Sequence, residues 1–344
     1  MRLLECRFIV VRNGGDFGEL YAIGAPSLRM NDNSAIKMSL SGKFAQDDTL
    51  NLLTDRIRPE LVIDGVRTPI GLYLPATVTK SENETTKSMQ IEAYDQCWLV
   101  RDTKTESLVL YPAGTNYIDL VQSILASCGI ALVVAQETDA ELAEDRQDWD
   151  IGTSYLTIVN QLLSEINYNP LWFDSDGTAI LEPASVPSAE NIWHTFDLAD
   201  PATLARPGVQ RSTDIYSAPN VFICVCSNAD KSGPMVARSE NTNPQSQLAI
   251  QRRGRRIAKV VQVDNIADQN ELQAYADRLR NESMITSETI YLTTGLLPGF
   301  GVDNVVGLIE DDEMTVCIER GWSMTLTTGG TMQHTLEKVV VQLG

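Results

Sequence analysis

Gly114-Thr115-Asn116-Tyr117-Ile118-Asp119-Leu120-Val121-Gln122-Ser123-Ile124-Leu125 and Gly152-Thr153-Ser154-Tyr155-Leu156-Thr157-Ile158-Val159-Asn160-Gln161-Leu162-Leu163 carry one phrase, G-T-x-Y-φ-x-φ-V-x-x-φ-L, with φ aliphatic. Each copy offers an amide or hydroxyl side chain, Asn116 or Ser154, that can cap a helix N-terminus. Each then spaces its apolar residues for one buried helical face. No nucleophile, base or metal ligand recurs with the phrase, so it reads as construction rather than catalysis. The spacing predicts helices over Asn116–Ser127 and Ser154–Ile166, the first closed by Cys128-Gly129 and the second by Asn167-Tyr168-Asn169-Pro170. Strands are expected at Ile130–Val134, Leu171–Phe173 and Thr178–Leu181, the last two joined by the turn Asp174-Ser175-Asp176-Gly177. The order β-α-β-α-β-β makes 91–183 a small α/β domain.

On either side the texture is β. In 1–90, strands are expected at Glu5–Arg12, Ser34–Leu40, Leu61–Ile63, Thr68–Pro75 and Met89–Ala93. Turns are expected at Asn13-Gly14-Gly15, Ser41-Gly42, Asp64-Gly65 and Ser81-Glu82-Asn83, and Asp64-Gly65 is a strong hairpin signal. In 184–344, strands are expected at Asn220–Cys226, Arg256–Val263, Thr289–Thr293, Asn304–Ile309, Met314–Trp322 and Thr335–Gln342. One helix is capped by Asp268 and ends near Ser283. The polar stretch 228–252, with Gly233-Pro234 and Asn243-Pro244, reads as a long partner-facing loop. The fold class is α+β, mostly β. So many short strands would be protected from edge pairing by closing into small barrels.

The net charge is −19, from 27 basic and 46 acidic residues. Such a chain repels nucleic acid and anionic lipid at long range. Solubility accounts for it, and so does a surface that nucleic acid passes without sticking. No apolar run approaches the ~18 residues of a membrane span. The N-terminus lacks a signal peptide's apolar block, so synthesis and folding in the cytoplasm are expected. Cys6, Cys97, Cys128, Cys224, Cys226 and Cys317 show no C-x-x-C spacing, and neither His194 nor His334 is near one. They read as small buried hydrophobes, with Cys224 and Cys226 on one strand face.

Asp145, Asp148 and Asp150, with Trp149 among them, could suggest a glycosidase acid pair or a calcium loop. The D-x-D-x-D-G pattern is absent, and acids ahead of a helix suit its dipole. Asp174-Ser175-Asp176-Gly177 reads as a hairpin turn. Arg252-Arg253-Gly254-Arg255-Arg256 lacks the interleaved aromatics of a stacking surface, so it is expected to pair with carboxylates of a neighbouring domain or subunit. Nucleophile-elbow and phosphate-loop motifs are missing. No catalytic, cofactor-binding or metal-binding residues are assigned, no cofactor is expected, and the chain is read as a non-enzyme.

The middle segment resembles the phage tail and baseplate hub family, the tail-tip hub of phages and phage-like contractile particles (late control protein D-like). The resemblance rests on Tyr94-Asp95-Gln96-Cys97-Trp98-Leu99, the two helix phrases, Asp148-Trp149-Asp150-Ile151, Asn160–Tyr168 and Leu171–Gly177. Further on it includes Asn243-Pro244-Gln245-Ser246, Arg253–Ile257, Tyr275–Leu279, Pro298 and Asp303–Val306. It covers about 90–344, and 1–90 matches in texture. It implies two tube-like β-barrels per chain, one in 1–90 and one within 184–344, with 91–183 inserted. Three chains would then present six barrels, a pseudo-sixfold ring adapting the tail tube to a threefold spike or fibre complex. The implied partners are further copies of the chain (homotrimer), a tail-tube or distal tail protein, a spike or fibre protein and a tape-measure protein. DNA would pass through the lumen without specific binding. The implied location is the virion tail or a phage-like particle. The hydrolase domain often appended in this family is not expected in a sequence ending at Gly344. Two other classes fit the composition: a tail-associated peptidoglycan hydrolase using Asp148 or Asp150, and a receptor- or carbohydrate-binding tip module using Trp149, Trp172 or Trp193.

Overall fold

The N-terminal β region of the computed structural model begins with β1 (Leu4–Arg12), β2 (Gly15–Glu19), β3 (Ser27–Asn31) and β4 (Met38–Ala45). It continues with β5 (Arg56–Ile63), β6 (Val66–Pro69), β7 (Leu74–Glu82) and β8 (Lys87–Tyr94). Then come α1 (Cys97–Asp102), α2 (Tyr117–Ser127), β9 (Val133–Ala135), α3 (Tyr155–Glu165), β10 (Trp172–Phe173) and β11 (Ala179–Leu181). The remainder holds β12 (His194–Asp197), β13 (Gln210–Ser212), β14 (Val221–Cys226), β15 (Met235–Glu240), α4 (Ile250–Arg253) and β16 (Ala258–Val263). It ends with α5 (Gln269–Ile285), β17 (Thr289–Gly295), β18 (Val305–Glu310), β19 (Glu313–Thr325) and β20 (Thr331–Lys338). The structure describes residues 3–82, 86–212, 218–226, 235–263, 266, 269–285 and 288–339.

The hairpin signals act where expected. Asn13-Gly14 and Asp64-Gly65 are two-residue loops with every φ positive, which matches the twist of the flanking strands. Ser41-Gly42 lies inside β4 instead of forming a turn. A Cβ on Gly42 would stand 2.8 Å from the Pro26 Cβ and 2.9 Å from the Phe44 ring, so the glycine makes room for that ring in the core. The strand expected over Ser34–Leu40 is displaced to β4, and Thr68–Pro75 is broken into β6 and the start of β7. Asn83, Asp268 and the end of the strand expected to Gln342 fall outside the described residues.

Among the described residues the strands form several sheets, none of them closed. β2-β1-β5-β6 make one. A ten-stranded sheet runs β13-β17-β20-β19-β3-β4-β8-β7, with β12-β18 branching from β19. β3 pairs with β19, Met30 opposite Trp322, which joins N-terminal and C-terminal strands in that sheet. One apolar core follows from that shared sheet, running from Phe8, Leu40, Phe44 and Ile91 through Phe196, Leu292, Trp322 and Leu336.

The segment 228–252 is not one long loop. β15 crosses it and pairs with β14 in a three-stranded sheet, β15-β14-β16, backed by α5. Its polar text is that of a strand covered on one face: Ala237 and Ser239 are buried, while Val236 and Arg238 are exposed.

In the α/β module the order is α-α-β-α-β-β. The short α1 was not foreseen, and the first expected strand shrinks to β9, which pairs parallel to β11. The twin phrase builds the same device twice. Gly114 and Gly152 adopt positive φ. The Thr115 and Thr153 hydroxyls each donate to the carbonyl three residues back, 2.7 Å away in both copies. Asn116 and Ser154 take near-identical extended conformations, accept helix N–H groups, and form antiparallel bridges to Glu141 and Lys104. The apolar faces of α2 and α3 then meet in a separate core. Gly42→Ala should lower unfolding free energy by about 1–3 kcal/mol, the usual cost of overpacking, in urea titrations; an unchanged midpoint would contradict the close packing.

Candidate functional site

The acidic stretch before α3 closes around one arginine. Arg146 is buried, and its guanidinium meets Glu165 of α3 through two hydrogen bonds of 2.7 and 3.1 Å and also binds Asp148. Tyr117 of α2 donates to the same Glu165 carboxylate at 2.9 Å. Trp149 is buried, with its indole N–H donating to Gln161 at 3.0 Å. Burial alone would push the Arg146 guanidinium down, and Glu165 and Asp148 outweigh it. Asp145 accepts from the Ala113 N–H at 2.8 Å. Asp145 and Asp148 therefore fasten the loop to the module, while the Asp150 side chain is exposed.

Asp174 accepts the Asp176 and Thr178 N–H groups at 2.9 and 2.8 Å, the geometry of a side-chain-stabilised turn. That hairpin seats the module on the N-terminal β region: Gly71 N–H donates to the Ser175 carbonyl, and Gly177 lies against Leu72 and Gln96. Among the described residues no group of three or more His, Cys, Asp or Glu side chains is placed to hold a metal.

None of the six cysteines is in a disulfide, and Cys224 and Cys226 share the face of β14 turned to α5. Burial pushes the Cys6 thiol up to about 11 and Cys317 up to about 12. In the basic cluster, Arg256 pairs with Glu240 of the same three-stranded sheet, and Arg253 donates to the Ala218 carbonyl. Those partners lie within one unit rather than across domains, because β14 holds β15 and β16 side by side. Trp172 is half-buried with its N–H toward Glu182, and Trp193 packs edge-on against Phe300. Of the three tryptophans, only Trp193 is substantially exposed.

Two polar clusters, one buried and one partly buried, carry no motif in the sequence. His334 lies between Glu319 (2.6 Å) and Thr294 (2.9 Å), all three buried in the main core. The chain's other histidine, His194, joins the same aromatic cluster through Phe196 and Phe300. Burial raises the Glu319 carboxyl; burial and then His334 lower the His194 imidazole. Arg320, one residue on from Glu319, binds Asp32 at 2.9 Å, Asp303 at 2.6 Å and Glu337 at 2.8 Å. The signal in the sequence was Glu319-Arg320 set inside an otherwise apolar strand pattern. A cleft of about 410 Å³ opens beside Arg320, lined also by Asn167, Asn169, Val186 and Asn281.

No family model matches this sequence, and no curated protein matches it. Solved structures do. A tail protein from Neisseria meningitidis MC58 superposes with a TM-score of 0.67 at 14% identity, over 97% of this chain and 96% of that one. The 43 kDa tail protein of prophage MuSo2 from Shewanella oneidensis gives 0.68 at 11% identity, over 96% and 98%. The chain has the fold of phage tail proteins. The same fold extends to the E. coli c3393 protein, a type VI secretion component described as similar to T4 tail proteins gp27 and gp5. There the TM-score is 0.55 at 10% identity, over 97% of this chain and 78% of that one. Within this tail-protein fold no helix among the described residues is long and apolar enough to cross a membrane.

Arg146→Ala strands Glu165 in the module core and should cost about 3–5 kcal/mol in urea unfolding. Adding Glu165→Gln should recover part of that loss; no recovery would show that packing, not charge, is lost. His194 stays neutral more readily when folded than its ordinary value of 6.5 dictates, so its contribution is complete above that pH and is lost as pH falls. Glu319, raised above 4.5, acts in the opposite direction. His194→Phe should therefore lose less stability than the parent chain between about pH 7 and 5. An identical pH slope would remove His194 as the cause.

Proposed function

We propose that the chain is a structural component of a phage or phage-like tail tip: a trimeric hub that adapts the sixfold tail tube to a threefold spike or fibre complex. The observation that carries this reading is the likeness in fold, along nearly the whole chain, to tail proteins from two different bacteria and to a type VI secretion component. Residues 1–90 form the first tube-like unit, the second lies within 184–344, and 91–183 is the module set between them. The β3–β19 pairing supports such a reading, because it holds both β regions in one sheet and fixes their relative angle. A homotrimer presents six such units to a hexameric tube ring. The partners are the tail-tube or distal tail protein, the spike or fibre protein, and the tape-measure protein. The role is assembly without catalysis, located in the tail of the particle. The carboxylates nearest to an acid pair, Asp145 and Asp148, already hold the loop before α3. A net charge of −19 keeps passing DNA from adhering.

Light scattering on the purified protein should give three times the chain mass, and a mixture with its tail-tube protein should give a larger complex. A particle of one chain mass at high concentration that ignores the tube protein would sink the reading.

A further inference from the structure

Among the described residues, the sheet β15-β14-β16 is covered on one side only. Cys224, Cys226 and Ala237 turn into α5. Strand register places Ile223 beside Arg238 and Val260, and Val225 beside Val236, on the other side. Val236 and Val260 are more than half exposed. Arg238 of β15 and Arg256, the last arginine of the cluster, border this face, where both reach Glu240. The uncovered side is thus apolar in the middle and basic at its margin.

The α/β module carries the converse surface. Residues 91–183 hold sixteen acidic and three basic side chains, a net of −13 out of the chain's −19. One of those three basic groups, Arg146, is buried. Thr105 donates its hydroxyl to the Asp150 carbonyl and accepts the Gly152 N–H, and Tyr111 bridges Arg146. Segment 105–111 therefore lies alongside 146–153. Leu108, Leu110 and Ile151 are more than half exposed there, among exposed Glu106, Asp148 and Asp150.

We infer that these two faces meet between copies of the chain, head to tail. The inference rests on the trimeric reading and supplies its contact. Copies of net charge −19 repel one another, so association requires a local patch of the opposite sign. The face bordered by Arg238 and Arg256 supplies it, and both faces bring the apolar centre and charged rim of a specific interface. Because the two faces differ, the contact repeats around a ring and closes when the rotation per copy is one third of a turn.

The test is charge reversal in the full chain, with circular dichroism to confirm folding and sedimentation to read assembly. Arg238→Glu with Arg256→Glu should weaken self-association about tenfold or more, as should Glu106→Lys with Asp150→Lys. All four reversals in one chain should restore it. If both double variants keep the parental mass and affinity, this contact is wrong while the trimer stands. Loss without restoration in the fourfold variant overturns the pairing. A parent that stays monomeric at every concentration removes both the trimer and the contact.

Discussion

Five residue pairs between β3 and β19 hold this molecule together as one body. Without them the N-terminal and C-terminal strands would be separate sheets, each with a long open edge. With them, a single core runs from Phe8 to Leu336. Arg320 sits at the end of this seam and binds carboxylates contributed by Asp32, Asp303 and Glu337. Burial opposes the charge, and the carboxylates, Asp303 first, more than offset it. Removing any one acid would leave the guanidinium less well compensated, which makes the seam sensitive to register as well as to hydrophobic packing.

The α/β module obeys a different logic. Its helices α2 and α3 are specified locally, by a glycine, a back-bonded threonine and a capping residue repeated at matching positions. What differs between the copies is the tertiary partner. Tyr117 reaches Glu165 and Arg146, whereas Tyr155 packs at the edge of the module core. A repeated local device thus places one helix to hold a buried charge and the other to supply it.

That contrast explains what could be read from the sequence. The helix phrases, the Asn13-Gly14 and Asp64-Gly65 hairpins and the Asp174–Gly177 turn are short-range signals, and each matches the structure. Gly42 misled because a glycine needed for the Phe44 ring looks like one needed for a turn. β3 was hidden by its five-residue length, and β15 by a one-sided burial that leaves alternate residues polar. The shared sheet was illegible because nothing local marks Met30 as the partner of Trp322. The Asp145–Asp150 cluster was read as structural, but its organiser, Arg146, carries no local mark, since burial of a lone arginine is decided by Glu165 and Tyr117 from other segments.

The seam also orders events in time. Asp32 and Arg320 are 288 positions apart, and β3 finds its second neighbour only after β19 has been synthesised. The N-terminal strands leave the ribosome with one edge of β3 unsatisfied and must wait for almost the entire chain. A product truncated before Trp322 can form the α/β module from its local signals, yet it cannot complete the sheet that carries the rest. Chain completion is thereby written into the fold: the ten-stranded sheet is finished only once β19 and β20 are in place.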